Sequence, residues 1–247
     1  MRNRQGRNLT YVITQELGRA IVTGAYGMEN PFPIEAKLCE QYGVSRSVLR
    51  EAVKMLTAKG LLSARPRQGT WIEPEENWNL LDPDVLRWLL ERKYSPALLI
   101  EFTEMRLAFE PAAAALAAER ADEASLETIK AAIARMQQAE RGEDDPLSSD
   151  IAFHVSILHA SGNRLYAQLD NLIDAALRIS IRVTNQRKGV RLASVADHQK
   201  IVDAIVARNA DAASAAMRNL ILEALALIKG SAAEARAQAE EEAAAQA

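Results

Sequence analysis

Apolar residues recur at helical spacing at Val12, Ile13, Leu17, Ala20 and Ile21, which predicts an amphipathic helix from Leu9 to Thr23. Gly24 and Gly27 end it, and Pro31 and Pro33 keep the chain extended. A second short helix follows from Ile34 to Tyr42, with Ala36, Leu38 and Cys39 available for its buried side. Gly43 and Val44 make a tight turn. Ser45 is a good N-cap for a third helix to about Lys59, whose apolar stripe is Val48, Leu49, Ala52, Val53 and Leu56, with Gly60 as its C-cap. The period then changes. Leu61 to Ser63 and Thr70 to Ile72 suit short strands around the basic turn Ala64 to Gly69, which makes a β-hairpin.

From Glu73 to Asp84 the chain is acidic, contains proline and has no clear period, so 77–84 reads as a linker. Helical patterns then run from Pro83 to Arg92, Pro96 to Arg120, Asp122 to Arg141, Pro146 to Ala160, Arg164 to about Arg187, Leu192 to Arg208 and Ala210 to about Gln238. Asp82-Pro83, Ser95-Pro96 and Asp145-Pro146 supply caps and first-turn prolines. The expected fold is mostly α: a winged helix-turn-helix over 1–76, and an antiparallel all-helical bundle of about seven helices over 85–236. The Ala, Glu and Gln tail over 237–247 is expected to be disordered.

Composition narrows the function. Of 247 residues 49% are hydrophobic and 26% charged, which excludes disorder throughout. A single cysteine, Cys39, excludes an internal disulfide and a multi-cysteine zinc site, and points to the cytoplasm. The alanine-rich run from Pro111 to Ala118 is far shorter than the roughly 20 apolar residues of a membrane span, and Met1 to Arg7 leads into no signal-peptide core. The net charge of −3 hides an asymmetry: 11 Lys and Arg against 5 Asp and Glu up to Ile72, then 19 against 28 beyond it. A basic head on an acidic body suggests that one part faces a polyanion.

The third helix carries Ser45, Arg46, Ser47 and Arg50 in its first two turns, away from the apolar stripe. Arginine can bond guanine bidentately in the major groove, and hydroxyls and amides can bond phosphate. The hairpin tip adds Arg65, Arg67 and Gln68 for phosphate or minor groove. Each of these arginines alone could be a solvated surface residue; their joint placement favours DNA binding. Phe32 to Leu38, Tyr42 to Ala52 and Gln68 to Thr70 resemble the N-terminal domain of GntR-family bacterial transcription regulators, a match over nearly all of 9–72. That resemblance implies operator contacts from Arg46 and Arg50. Relatives often carry an arginine where this chain has Ala36, so that contact is absent or replaced by Lys37.

In the acidic half, Asp150 and His154 stand four apart on one helix face, and His198 opens a later helix. On spacing alone the three are either ligands of one metal ion or a capping aspartate with hydrogen-bonded core histidines. Glu104 to Arg106, Glu110-Pro111, Ala117 to Arg120, Asp150 to His154, Ser161 to Asn163 and Asp197-His198 resemble the FCD ligand-binding domain of the FadR subfamily, over about 84–230. The resemblance implies a divalent ion (Zn, Ni or Mn) on Asp150, His154 and His198, with Asn219 standing where metal-binding relatives have a further histidine. An asparagine oxygen is a weaker ligand than imidazole, so the ion would bind loosely or together with an anionic effector. Arg106 either pairs with Glu104 or Glu110 on its own helix or, as the resemblance implies, grips the carboxylate of an effector. Asn171, Arg178, Thr184 and Asn219 are the candidates to complete that pocket.

Asn77 to Leu90 is similar to the linker and first helix of sugar-acid (galactonate-type) operon repressors, which points to an aldonate as effector. The expected protein is a homodimeric repressor that binds double-stranded operator DNA and no membrane. The alternative is a metal-dependent enzyme acting on a small organic acid through Asp150, His154 and His198, although no nucleophile or general base sits in a recognisable motif beside them.

Overall fold

The buried stripe Ile13, Leu17, Ile21 and Val22 makes α1 (Arg2–Val22) the support of the N-terminal part, whereas Val12, expected on that stripe, is exposed. The computed structural model describes residues 2–27, 30–65, 69–92, 96–188 and 194–245, without the side chains of 2–8, 90–91, 179, 182–188, 231 and 234–245. These residues fall into two units, Met1–Tyr94 and Ser95–Ala247.

In the first unit α2 (Glu35–Tyr42) ends at Gly43, whose left-handed φ of 61° turns the chain into α3 (Arg46–Ala58). Ser45 caps α3, its Oγ accepting the Val48 N–H at 3.4 Å, and Leu49, Ala52 and Leu56 face the core. The C-cap is Lys59 rather than Gly60. Gly60 follows at φ 78°, where a Cβ would come within 2.5 Å of the Asn77 carbonyl oxygen. Strands β1 (Leu62–Arg65) and β2 (Gly69–Ile72) pair antiparallel, Leu62 opposite Ile72 and Arg65 opposite Gly69. Helix, helix, turn, helix and hairpin form a winged helix-turn-helix.

The segment after the wing is no free linker. A 3₁₀ turn at Glu75–Asn77 leads to α4 (Pro83–Arg92), which packs on α1. Trp88 is fully buried over Gly18, where a Cβ would lie 2.3 Å from its ring. Gln15 Oε1 accepts from Trp88 Nε1 at 3.1 Å and from Arg87 at 2.7 Å. Lys59, at the end of α3, donates to Asp82 at 2.8 Å and to Asp84 at 2.9 Å, all three side chains being 20% exposed or less. The acidity and prolines of 73–84 hide these partners, and two tryptophans supply the apolar area that fixes the segment. The boundary expected between 84 and 85 therefore falls inside a packed unit that runs on through α4.

The second unit comprises α5 (Pro96–Arg120), α6 (Glu123–Glu140), α7 (Pro146–Ala160), α8 (Arg164–Ala167), α9 (Asp170–Lys188), α10 (Val195–Val206) and α11 (Ala210–Ala245). Asp122, Asp145 and Ser194 cap α6, α7 and α10 through the N–H groups of Ser125, Ser148 and Asp197. The single helix expected from Arg164 is two, because Asn163 caps the short α8 and Gln168 ends it before α9. Helix α10 begins at Val195 after its N-cap Ser194; Leu192, the start expected for it, lies outside the described residues. Ala113, Ala114, Ala117 and Ala118 let α5 approach α11, which offers Ala213, Met217, Ile221, Leu225 and Ile228. Helix α7 packs against α5, α6 and α9, and α10 closes on α5, α6 and α11. Helix α11 continues to Ala245, through most of the tail expected to be disordered, as the high helix propensity of Ala, Glu and Gln allows. No helix among the described residues is long and apolar enough to cross a membrane.

Candidate functional site

Two faces carry chemistry. On the winged helix-turn-helix, Ser45, Arg46, Ser47 and Arg50 are exposed on the side of α3 opposite Leu49, Ala52 and Leu56. Ser45 Oγ is occupied as a cap and lies 2.9 Å from Ser47 Oγ. Arg50 Nε donates to Glu35 Oε2 at 2.9 Å, and that bond raises its affinity for its proton further. Arg46 Nε lies 3.9 Å from the other Glu35 oxygen. Lys37 is exposed on α2 beside Ala36. In the wing, the Arg65 guanidinium, at the turn end of β1, sits 5.4 Å from the centre of the Trp71 ring, a cation–π contact that holds it against β2. Arg67 and Gln68 lie outside the described residues.

The second face is internal. Asp150 and His154 come from one turn of α7, His198 from the first turn of α10, and Arg106 and Glu110 from one turn of α5. All five are buried. Glu110 bridges two partners: Oε1 accepts from Arg106 Nε at 2.5 Å, and Oε2 lies 2.7 Å from His154 Nδ1. Burial pushes the Glu110 carboxyl up, but the charges of Arg106 and His154 outweigh it and hold the carboxyl down at about 2. For His154 burial opposes the charged ring, and the Glu110 carboxylate outweighs it, leaving the imidazole more basic than usual.

The proton positions follow from these partners. His198 Nδ1 lies 2.7 Å from the Ser194 carbonyl oxygen and can only donate to it, so in the neutral ring Nε2 carries a lone pair. His154 Nδ1 faces the Glu110 carboxylate in the same way. Both Nε2 atoms then point at Asp150 Oδ1, from 3.4 Å and 3.3 Å. Among the described residues, Asp150 Oδ1 and His198 Nε2 are buried with no hydrogen-bond partner. Burial also opposes ionisation of Asp150, yet the two imidazoles keep its carboxyl well below the usual carboxylate range.

One oxygen and two nitrogens, all within 4.8 Å of one another, thus converge on one point. The donor set suits a divalent ion such as zinc, for which two imidazoles and a carboxylate are ordinary ligands. The outward nitrogen of each histidine is already fixed by an acceptor, Glu110 for His154 and the Ser194 carbonyl for His198, as metal-binding histidines require.

The remaining effector candidates are not gathered there. Asn171 and Arg178 are exposed on α9, and Arg178 forms a two-pronged pair with Asp174 at 3.0 and 2.8 Å. Asn219 is exposed as well. The stripe of α11 that faces inward is Ala213, Met217, Ile221 and Leu225, and two residues past Met217 turns the side chain by roughly 200°. Thr184 lies in α9 with its side chain outside the description. Reading the sequence weighs Glu110 only as a partner of Arg106; its contact with His154 is missed because nothing in the spacing pairs α5 with α7.

A basic reading helix and wing in one unit, and a buried polar centre in a helical bundle in the other, define a DNA-binding regulator with a sensor domain. Residues 9–72 match the family described as bacterial regulatory proteins, gntR family, and residues 101–223 match the FCD domain. The galactonate operon transcriptional repressor of Escherichia coli K12 is 33% identical over 90% of this chain and 97% of its own length. The HTH-type transcriptional regulator YieP of the same organism, itself uncharacterized, is 35% identical over 87% and 93%. The structure of Lar, which controls expression of the agr system in Listeria monocytogenes, shares the fold with a TM-score of 0.60 at 18% identity, covering 89% of this chain and 96% of Lar. The chain belongs to the GntR family of bacterial transcription regulators and carries an FCD effector-binding domain.

Proposed function

We propose that this regulator is a homodimeric repressor of a carbohydrate-acid catabolic operon, released from its operator when a small carboxylate such as an aldonate enters the helical domain. The observation that carries the reading is the charge balance of the buried centre. In the form that ligates a metal both imidazoles are neutral, and Arg106 then offsets only one of the two carboxylates Glu110 and Asp150, so that form is one negative charge out of balance. A divalent ion held by Asp150, His154 and His198 would supply two positive charges and open coordination positions. One carboxylate would then restore neutrality, which a buried site strongly favours. The likeness to the galactonate repressor of Escherichia coli supports a sugar acid as that carboxylate.

On the DNA side, Arg46, Arg50 and Ser47 read base edges or phosphate, with Arg65, Arg67, Gln68 and Lys37 adding backbone contacts. Two copies place two reading helices on half-sites of a pseudo-palindrome. An effector shifts operator occupancy only by as much as its affinities for the bound and released forms differ. Isothermal titration of the full chain with galactonate, gluconate and glucuronate, each with and without Zn, Ni or Mn, tests the sensor. Saturable binding of at least one sugar acid that is strengthened by metal is the expected result; no binding of any acid with any metal would overturn it.

A further inference from the structure

Glu35 opens α2 at the corner where α2 meets α3, and its carboxylate is shared by the two arginines assigned to reading DNA. Oε2 accepts from Arg50 Nε at 2.9 Å and Oε1 lies 3.9 Å from Arg46 Nε. The three side chains are 37%, 64% and 73% exposed, so the group faces solvent and adds little to stability. What it does set is direction. A guanidinium held through Nε keeps its Nη groups free, and Arg46 and Arg50 lie one turn apart on the same face. The carboxylate therefore orients the Arg50 fork through a hydrogen bond, while at 3.9 Å it draws Arg46 by charge alone. The positive end of α2 favours the carboxylate in that place.

The charge of Glu35 has a second effect. Phosphate attraction acts on every duplex alike, and a carboxylate on the reading face lowers it for all sequences. Ordered arginines return affinity only where bases match their forks. We propose that Glu35 is a specificity-determining positioning residue: it aligns Arg50 through its Nε, attracts Arg46 by charge, and lowers affinity for non-operator DNA, widening the gap between operator and random sequence. The inference rests on the DNA-reading role proposed for Arg46 and Arg50.

The test uses the full chain, an operator duplex selected by the wild-type protein from a random pool, and a scrambled duplex of the same composition, with fluorescence anisotropy at several salt concentrations. Glu35→Gln keeps the shape and removes the charge. It should tighten binding to the scrambled duplex and reduce the operator-to-scrambled affinity ratio by about fivefold or more. Glu35→Asp keeps the charge but is one methylene too short to hold Arg50 Nε in the same place, so it should weaken operator binding and leave the scrambled duplex as in wild type. In an Arg50→Ala background the effect of Glu35→Gln on the ratio should shrink, which a merely structural role would not produce. An unchanged ratio in Glu35→Gln, or an Asp variant indistinguishable from wild type on both duplexes, would overturn the inference. If instead Arg50→Ala alone leaves operator binding intact, the reading of α3 itself is what fails.

Discussion

Glu110→Gln removes one buried charge and keeps the size of the side chain. In the wild type that carboxylate faces Arg106 at 2.5 Å and His154 at 2.7 Å, with both partners buried. Breaking a buried pair from one side costs about 3–5 kcal/mol because the other charge stays behind. Glutamine still offers one oxygen to Arg106 or His154, which recovers about 1 kcal/mol. A second route gives a similar figure: holding a carboxyl at about 2 instead of 4.5 corresponds to on the order of 3 kcal/mol at neutral pH. For a unit of this size that is a fall of roughly 6–12 °C in the unfolding midpoint of the helical domain. Calorimetry of the full chain reads it, with urea unfolding as a check.

The sign with pH is fixed by the direction of the shift. Because the folded-state affinity of Glu110 for a proton is depressed, its contribution is complete above about 4.5 and is lost as pH falls toward about 2. The difference between wild type and variant should shrink over that window. A difference under about 1 kcal/mol at pH 7, or one that stays constant into the acid range, would refute the reasoning.

On the DNA side, Arg46→Ala and Arg50→Ala should each weaken operator binding by about 1–3 kcal/mol if the lost contact is to a base, read by anisotropy against a scrambled control. In the first unit, Trp88→Ala should destabilise the winged domain by about 3–5 kcal/mol, because it empties the space over Gly18 and frees Gln15, while leaving the melting of the helical domain unchanged. At the buried centre, zinc should raise the melting temperature of wild type and not of His198→Ala; equal shifts in both would remove His198 from the ligands.

Much of this architecture is legible in sequence because it rests on local signals. Gly43 must adopt a left-handed turn, Ser45, Asp122 and Asp145 must cap, and the change of period after Leu61 marks the wing. Helices α5 and α7 have the bounds that their flanking residues predict, since proline starts each of them. What is lost is long-range. Segment 77–84 looks like a linker until Lys59 and Trp88 are seen holding it to the winged unit. Asn219 is expected at a ligand position only through the family resemblance, and the phase of α11, set by its packing on α5, turns it outward. Asp150, His154 and His198 are brought together in the structure because the first two share a helix turn and α10 opens with a capped histidine. Glu110, the bridge between α5 and α7, required the fold.

Release of the operator tests the account most directly. The wild-type protein is bound to its selected operator duplex in the presence of zinc, and galactonate and related aldonates are titrated in while anisotropy is followed. The account predicts saturable release by at least one sugar acid, weakened when the metal is chelated and lost in His198→Ala. Operator binding that no sugar acid alters, with or without metal, would contradict it.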